Sequence, residues 1–376
     1  MILDAATVPG YWGMRYLGFP RLMPMNLTVS LTYRCNSKCA TCNIWKKRKV
    51  SEFSAGEFQK AFASIGTTPY WVTFSGGEPF LREDLEDIVA SACTTMRPGI
   101  VNIPTNGLAE KTAERVAKIA KDNPRTHVIV NLSLDGVGAR HDEIRGVPGA
   151  FEKAVKTYRD MQALSPGNLE LGIHTVISRY NVKDIPEIFE FAETLKPSAY
   201  ITEIAEKRAE LGTGDDITPS IEDYEKAVGF LKDRTKRKRG AGIPRLINAL
   251  RRQYYDLTVK TLKSRRQVIP CYAGYMSAQI TPDGDVWPCC VRADVLGNLR
   301  EVDYDFKRIW FGRKADEVRA SIRGGECHCP LANASYTNML CNPSEIIKIS
   351  LSLLSKLSAE RLSEREKNAR VHGRSG

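Results

Sequence analysis

The stretch Arg34-Cys35-Asn36-Ser37-Lys38-Cys39-Ala40-Thr41-Cys42-Asn43 places three thiols within eight residues, and the next cysteine, Cys93, stands alone far downstream. A buried structural cysteine needs no companions, and a structural zinc normally pairs one Cys-x2-Cys with a second pair. Three thiolates can instead ligate a four-iron cluster and leave its fourth iron open to an exogenous molecule. The β-branched run Leu27 to Leu31 precedes the trio, so the thiols occupy the loop after a strand.

Outward from this loop the same grammar repeats as far as about Glu206: a β-branched run, a turn, then an amphipathic stretch. Strands are expected at Leu27 to Leu31, Tyr70 to Phe74, Ile100 to Ile103, His127 to Leu134, Leu169 to Ile177 and Tyr200 to Ile204. Helices are expected near Ala55 to Ile65, Glu83 to Met96, Ala109 to Lys121, Ala150 to Ala163 and Ile185 to Leu195. Alternation of this length predicts βαβ units on a parallel sheet, and six units predict an α/β fold, a partial (β/α)6 TIM-like barrel. The domain reading is a 1–26 extension, the barrel over 27–212, a basic helical bridge over 213–266, a cysteine-rich segment over 267–342 and an amphipathic helix with a charged tail over 343–376.

Cys35-x3-Cys39-x2-Cys42 resembles the cluster motif of the radical S-adenosylmethionine (SAM) enzymes, and Ser75-Gly76-Gly77-Glu78-Pro79 resembles that family's GGEP loop after the second strand. Thr41 stands where the family often carries an aromatic residue. The resemblance implies a 4Fe-4S cluster on Cys35, Cys39 and Cys42, with SAM chelating the open iron through its amine and carboxylate. It implies that Gly76, Gly77, Glu78 and Pro79 hold the methionine amine, glycine letting the backbone come close. It also implies that Asn106 of Thr105-Asn106-Gly107 lines the SAM pocket, that Ser133 and Asp135 bond its ribose or carboxylate, and that Arg145 pairs with its carboxylate as a fork donor.

Six further cysteines, Cys271, Cys289, Cys290, Cys327, Cys329 and Cys341, crowd the C-terminal third. Cys271-x12-Gly284-x4-Cys289 resembles the opening of the SPASM or shorter twitch extension, in which a hairpin delivers thiolates to an auxiliary iron-sulfur cluster; the expected turn is Pro282-Asp283-Gly284. A full SPASM segment carries seven cysteines, so one auxiliary 4Fe-4S cluster is expected, on Cys271, Cys289, Cys327 and Cys329, with Cys341 or Cys290 as substitutes. Four thiolates also suit a structural zinc, which is the alternative for this segment.

Composition bounds the setting. The chain has 376 residues, a net charge of +11 and no secretory signal pattern, so a cytoplasmic, reducing compartment is expected, where ten cysteines argue for metal binding or catalysis. The resemblance implies a radical SAM oxidoreductase or transferase that cleaves SAM to a 5'-deoxyadenosyl radical and abstracts hydrogen from an unactivated carbon. It implies a low-potential donor such as flavodoxin or ferredoxin, and an auxiliary cluster for electron transfer or substrate binding. The expected substrate is a lipid or other small biosynthetic intermediate, with a peptide, as for SPASM-type maturases, as the alternative; the 26 residues before Leu27 leave little room for a leader-peptide-binding domain. The apolar run Tyr11 to Pro20, the cationic bridge and the tail from Ile346 to Leu357 add an expectation of peripheral contact with anionic membrane. An iron-sulfur electron carrier has no need of the Gly-Gly-Glu-Pro loop, and the basic run Lys232 to Arg239 lacks the interleaved aromatics of a nucleic-acid binder, so neither is preferred.

Overall fold

The computed structural model describes residues 7–237, 243–351 and 353. Six parallel strands form its centre: β1 (Asn26–Thr32), β2 (Trp71–Gly76), β3 (Ile100–Thr105), β4 (His127–Ser133), β5 (Leu169–Ile177) and β6 (Ala199–Ile204). A hairpin of β7 (Ser277–Ile280) and β8 (Asp285–Trp287), with the short β9 (Gly297–Asn298), continues the sheet. β7 pairs in parallel with β1, so the sheet runs β6-β5-β4-β3-β2-β1-β7-β8-β9 and the hairpin extends the barrel rather than standing apart from it.

The helices are α1 (Val8–Leu17), α2 (Ala55–Ile65), α3 (Leu85–Thr95), α4 (Thr112–Asp122), α5 (Ala139–Arg145), α6 (Ala150–Leu164), α7 (Ile185–Thr194), α8 (Ile221–Arg237), α9 (Ile243–Ser264), α10 (Phe306–Trp310), α11 (Arg313–Gly324) and α12 (Ala332–Leu340). α2 begins at a capping box, Ser54 with Glu57, and buries Phe58, Ala61, Phe62 and Ile65, one stripe at helical spacing. The basic bridge is the helix pair α8 and α9. The expected tail helix is helical over 343–351; its continuation past 353 lies outside the described residues.

Alternation along each strand sorts the side chains. Leu27, Val29 and Leu31, Val72 and Phe74, Val101 and Ile103, and Val128 and Val130 are fully buried in one continuous core against the helices. Facing the other way are Thr28, Thr73, Asn102, Ile129, His174, Ile201 and Glu203, each only half-buried. Parallel strands packed on both faces read as continuous apolar runs. Here one face is mostly polar and partly accessible.

Helices and a loop fill the opening between β6 and β7. Tyr255 of α9 hydrogen-bonds Thr202 of β6 at 2.8 Å, and Tyr254 packs on Tyr336 of α12 with ring centroids 5.3 Å apart. Glu210, in the loop after β6, reaches across to accept from Ser30 of β1 at 2.7 Å and from Gln279 of β7 at 2.5 Å.

Candidate functional site

The cysteine loop leaves β1 and is pinned by its backbone: Lys38 N–H donates to the Arg145 carbonyl, Ala40 N–H to that of Ile144, and Asn43 N–H to that of Leu211. Amides also aim at sulfur, Ser37 N–H at Cys35 Sγ and Ile44 N–H at Cys42 Sγ, both at 3.4 Å. Burial pushes the Cys35 thiol up to about 11 and that of Cys42 to about 12, and raises Cys39 as well. Three half-buried thiols that resist ionisation, yet receive amide and guanidinium donors, suit a positive metal centre that displaces their protons.

The Gly76-Gly77-Glu78-Pro79 loop lies against this one. Gly76 has φ 116°, and a Cβ on Gly77 would run into the Arg34 carbonyl, so both positions require glycine. Gly77 N–H donates to Thr32 O at 2.7 Å and Glu78 N–H to Arg34 O at 2.9 Å. Pro79 is buried and opens the short helical turn that follows.

The Glu78 carboxylate turns to β3. It accepts from Thr105 Oγ1 and from Asn106 N–H, each at 2.8 Å, and from Phe80 N–H at 3.3 Å. Burial raises its pKa against those three bonds. These bonds brace the loop on β3, and the carboxylate keeps acceptor capacity beyond them. The Asn106 amide donates to Asn36 Oδ1 at 2.7 Å and Ser37 Oγ at 3.1 Å, tying the third strand end to the cysteine loop.

Asp135 and Arg145 meet each other. Asp135 accepts from Arg145 Nη2 at 2.8 Å and from Val176 N–H at 2.9 Å. Arg145 also directs Nη1 at Cys39 Sγ, 3.7 Å away, and its buried Nε has no hydrogen-bond partner. Burial works against the Arg145 charge, but Asp135 and Cys39 outweigh it and raise its pKa. A partnerless guanidinium N–H beside the cysteine trio fits the carboxylate of a chelating amino acid. Ser133 ends β4 half-buried and pairs in register with His174 of β5.

In the C-terminal segment Cys271, Cys289, Cys327 and Cys329 line one mostly apolar cavity, with Arg292 directing Nη1 toward Cys327 Sγ at 4.0 Å. The two substitutes lie elsewhere. Cys341 is buried against Met276 in the cluster around Tyr11, with Sγ and Sδ 2.9 Å apart. Cys290 is absent from the cavity lining and responds instead to the charges of Arg208, Glu210 and Glu206 in the β6 loop. Gly284, at φ 93°, turns the hairpin as expected.

Sequence reasoning missed the β6 loop. Glu203, Glu206, Arg208 and Glu210 follow one another through Glu203-Ile204-Ala205-Glu206-Lys207-Arg208-Ala209-Glu210, and Glu206 and Glu210 are buried while Glu203 and Arg208 are half-buried. The available signal was a charge at the C-terminal end of a strand otherwise bound for a core.

Comparison with known proteins agrees with this geometry. The model of the radical SAM superfamily matches residues 29–192, and that of the SPASM iron-sulfur cluster-binding domain matches residues 271–330. The chain belongs to the radical SAM superfamily. It is an enzyme of that superfamily with a C-terminal SPASM segment, and its cofactors are SAM and 4Fe-4S clusters. Similar proteins include the AdoMet-dependent heme synthase of Methanosarcina barkeri, 28% identical over 77% of this chain and 82% of that one. The PqqA peptide cyclase of Granulibacter bethesdensis is 29% identical over 78% and 75% respectively. The crystal structure of Streptococcus suis SuiB bound to S-adenosylmethionine superposes with a TM-score of 0.59 at 17% identity, covering 79% of this chain and 68% of that one, a likeness of fold.

Proposed function

We propose that this radical SAM enzyme abstracts hydrogen from an unactivated carbon of a polar substrate held in the barrel chamber, and that the resulting electron leaves through one auxiliary cluster on Cys271, Cys289, Cys327 and Cys329. Cys35, Cys39 and Cys42 would hold the 4Fe-4S cluster, which when reduced would supply the electron for cleavage of SAM. The chain's residues orient and enclose. Arg145 offers Nε to the methionine carboxylate, and Asn106 and Glu78 brace the two loops on either side.

One observation carries this reading, a file of polar residues that runs from the end of β4 toward the auxiliary cysteine set. Ser133 neighbours His174 in register, His174 Nε2 is 3.8 Å from Glu203, Glu203 and Glu206 both hold Arg208, and Glu206 lies within electrostatic reach of Cys329. The partly accessible polar groups Thr28, Asn102, His174 and Glu203 on this face of the sheet favour a small polar intermediate or a peptide over an acyl chain. The named activities of the heme synthase and the peptide cyclase fall on those two classes.

Anaerobic reconstitution with SAM and dithionite tests it. About eight irons per chain and release of 5'-deoxyadenosine are expected; intact clusters without cleavage would overturn the proposal, and flavodoxin or ferredoxin should replace dithionite. Contact with anionic membrane is a second reading, supported by exposed Leu17 and Phe19 on the α1 side and Ile347 and Leu351 on the 343–351 helix, next to which Trp12 bonds the Cys341 carbonyl. Cosedimentation with phosphatidylserine vesicles at low salt, absent with neutral vesicles, checks it.

A further inference from the structure

The cavity around Cys271, Cys289, Cys327 and Cys329 has a mostly apolar wall, and among the described residues Arg292 is the only charged side chain in it besides the thiols. Two partners hold Arg292 in place. Its Nε donates to Asp294 Oδ2 at 2.5 Å and its Nη1 to Ser321 Oγ at 2.8 Å, which leaves Nη1 4.0 Å from Cys327 Sγ.

A second guanidinium stands behind Cys271. Arg15 of α1 is 5% exposed, and its Nε and Nη1 have no hydrogen-bond partner. Among the described residues it is flanked by the rings of Tyr16, Tyr272 and Tyr275, with centroids 5.4, 5.5 and 5.6 Å away, and is paired with no carboxylate. Tyr272 follows Cys271 in the chain, and Arg15 lies within electrostatic reach of that cysteine. A buried cation without a counter-ion is costly. Four thiolates around an iron-sulfur core form an anion that would supply one.

Reduction adds one negative charge to such a cluster. In a mostly apolar wall that charge is poorly solvated, so a fixed cation, or an N–H aimed at sulfur, bears strongly on the potential. We infer that Arg292, through its N–H toward the Cys327 sulfur, and Arg15, through its unpaired charge behind Cys271, raise the reduction potential of the auxiliary cluster and so make it the acceptor of the substrate's electron. The substrate radical left by hydrogen abstraction gives up one electron to it and one proton to water, so no further oxidant is called for. This inference rests on the reading that the auxiliary cysteines hold a cluster that takes this electron.

A potentiometric titration followed by electron paramagnetic resonance tests it, on the reconstituted full chain carrying Cys35→Ala/Cys39→Ala/Cys42→Ala, which leaves the auxiliary set alone. Arg15→Gln and Arg292→Gln, added to this parent, should each weaken reduction about tenfold, a midpoint lower by ~59 mV for one electron. Arg15→Lys, which keeps the charge, should stay near the parent value, and Arg292→Lys should regain part of the loss. Asp294→Asn, which frees Arg292 of its counter-ion, should move the midpoint upward, a sign that a merely loosened fold gives no reason to expect. Iron content and the visible spectrum show which variants hold the cluster. Unmoved midpoints in both glutamine variants, lysine variants that fall as far as the glutamine ones, or an Asp294→Asn midpoint that does not rise would each overturn the inference. A parent that binds no iron would overturn the electron-acceptor reading together with it, whereas an intact cluster with unmoved midpoints strikes the tuning alone.

Discussion

Glu78 shows how a single side chain can brace the loop it belongs to. Its carboxylate takes three donors from beneath the loop, and truncation to alanine would leave Thr105 Oγ1 and Asn106 N–H without acceptors in a buried place. Glu78→Ala is expected to cost about 1–3 kcal/mol in stability and to weaken SAM binding; urea denaturation and equilibrium dialysis with labelled SAM measure the two effects. His141 supplies a second case. Its Nδ1 accepts the Asp135 N–H at 3.2 Å, which requires a neutral ring, and burial, aided by Arg145, lowers its pKa to about 4. The unfolded chain takes up that proton below its ordinary 6.5, so stability falls as pH drops from about 6.5 to about 4 and is level below that. His141→Gln should flatten the dependence, measured by denaturation of the apo protein across this window. At this scale the cysteines and the Gly-Gly-Glu-Pro loop were legible because the chemistry sits in contiguous residues. The Asp135 to Arg145 pair was not, since each residue alone resembled a ligand contact and only the turn through α5 brings them together.

Elements were read well where their pattern was long. All six barrel strands and the helices α2, α3, α4, α6 and α7 stand within a few residues of their expected places, because β-branched runs alternating with amphipathic stretches leave few other folds. Short α5 and the N-terminal α1, which lean on tertiary partners, carried no comparable signal. The hairpin was recognised but its neighbour was not, as nothing local in Ser277 to Ile280 says that the strand will lie beside β1. Gly284 is its sensitive point: an added Cβ would meet both a φ of 93° and the ring of Phe53. Gly284→Ala should therefore displace β8 and Cys289 with it, lowering iron content toward about four per chain while SAM still binds; iron assay and dialysis check this.

Across the whole molecule, the C-terminal segment closes what the barrel leaves open. Glu210 joins the loop after β6 to β1 and β7, and its loss would strand the Ser30 and Gln279 donors. Glu210→Ala is expected to destabilise the protein by about 1–3 kcal/mol, read as a lower denaturation midpoint. The cavity cysteines come from well-separated parts of the chain, so a cluster there binds the folded state alone and adds to its stability. Cys327→Ser should lower both the iron count and the melting temperature. Within the basic run Lys232 pairs with Asp256 at 2.5 Å and Arg234 with Glu190 at 2.6 Å, Lys238 and Arg239 lie outside the described residues, and no helix among the described residues is long and apolar enough to cross a membrane.

The parallel pairing of β7 with β1 also shapes how the protein is made. During synthesis β1 emerges early, yet the strand that covers its free side follows some 250 residues later, many seconds afterwards at ribosomal speed. Throughout that interval the nascent barrel carries a bare hydrogen-bonding edge next to its cysteine loop, a template for mispairing. Iron delivery and chaperone protection are thus needed at the same end of the growing chain.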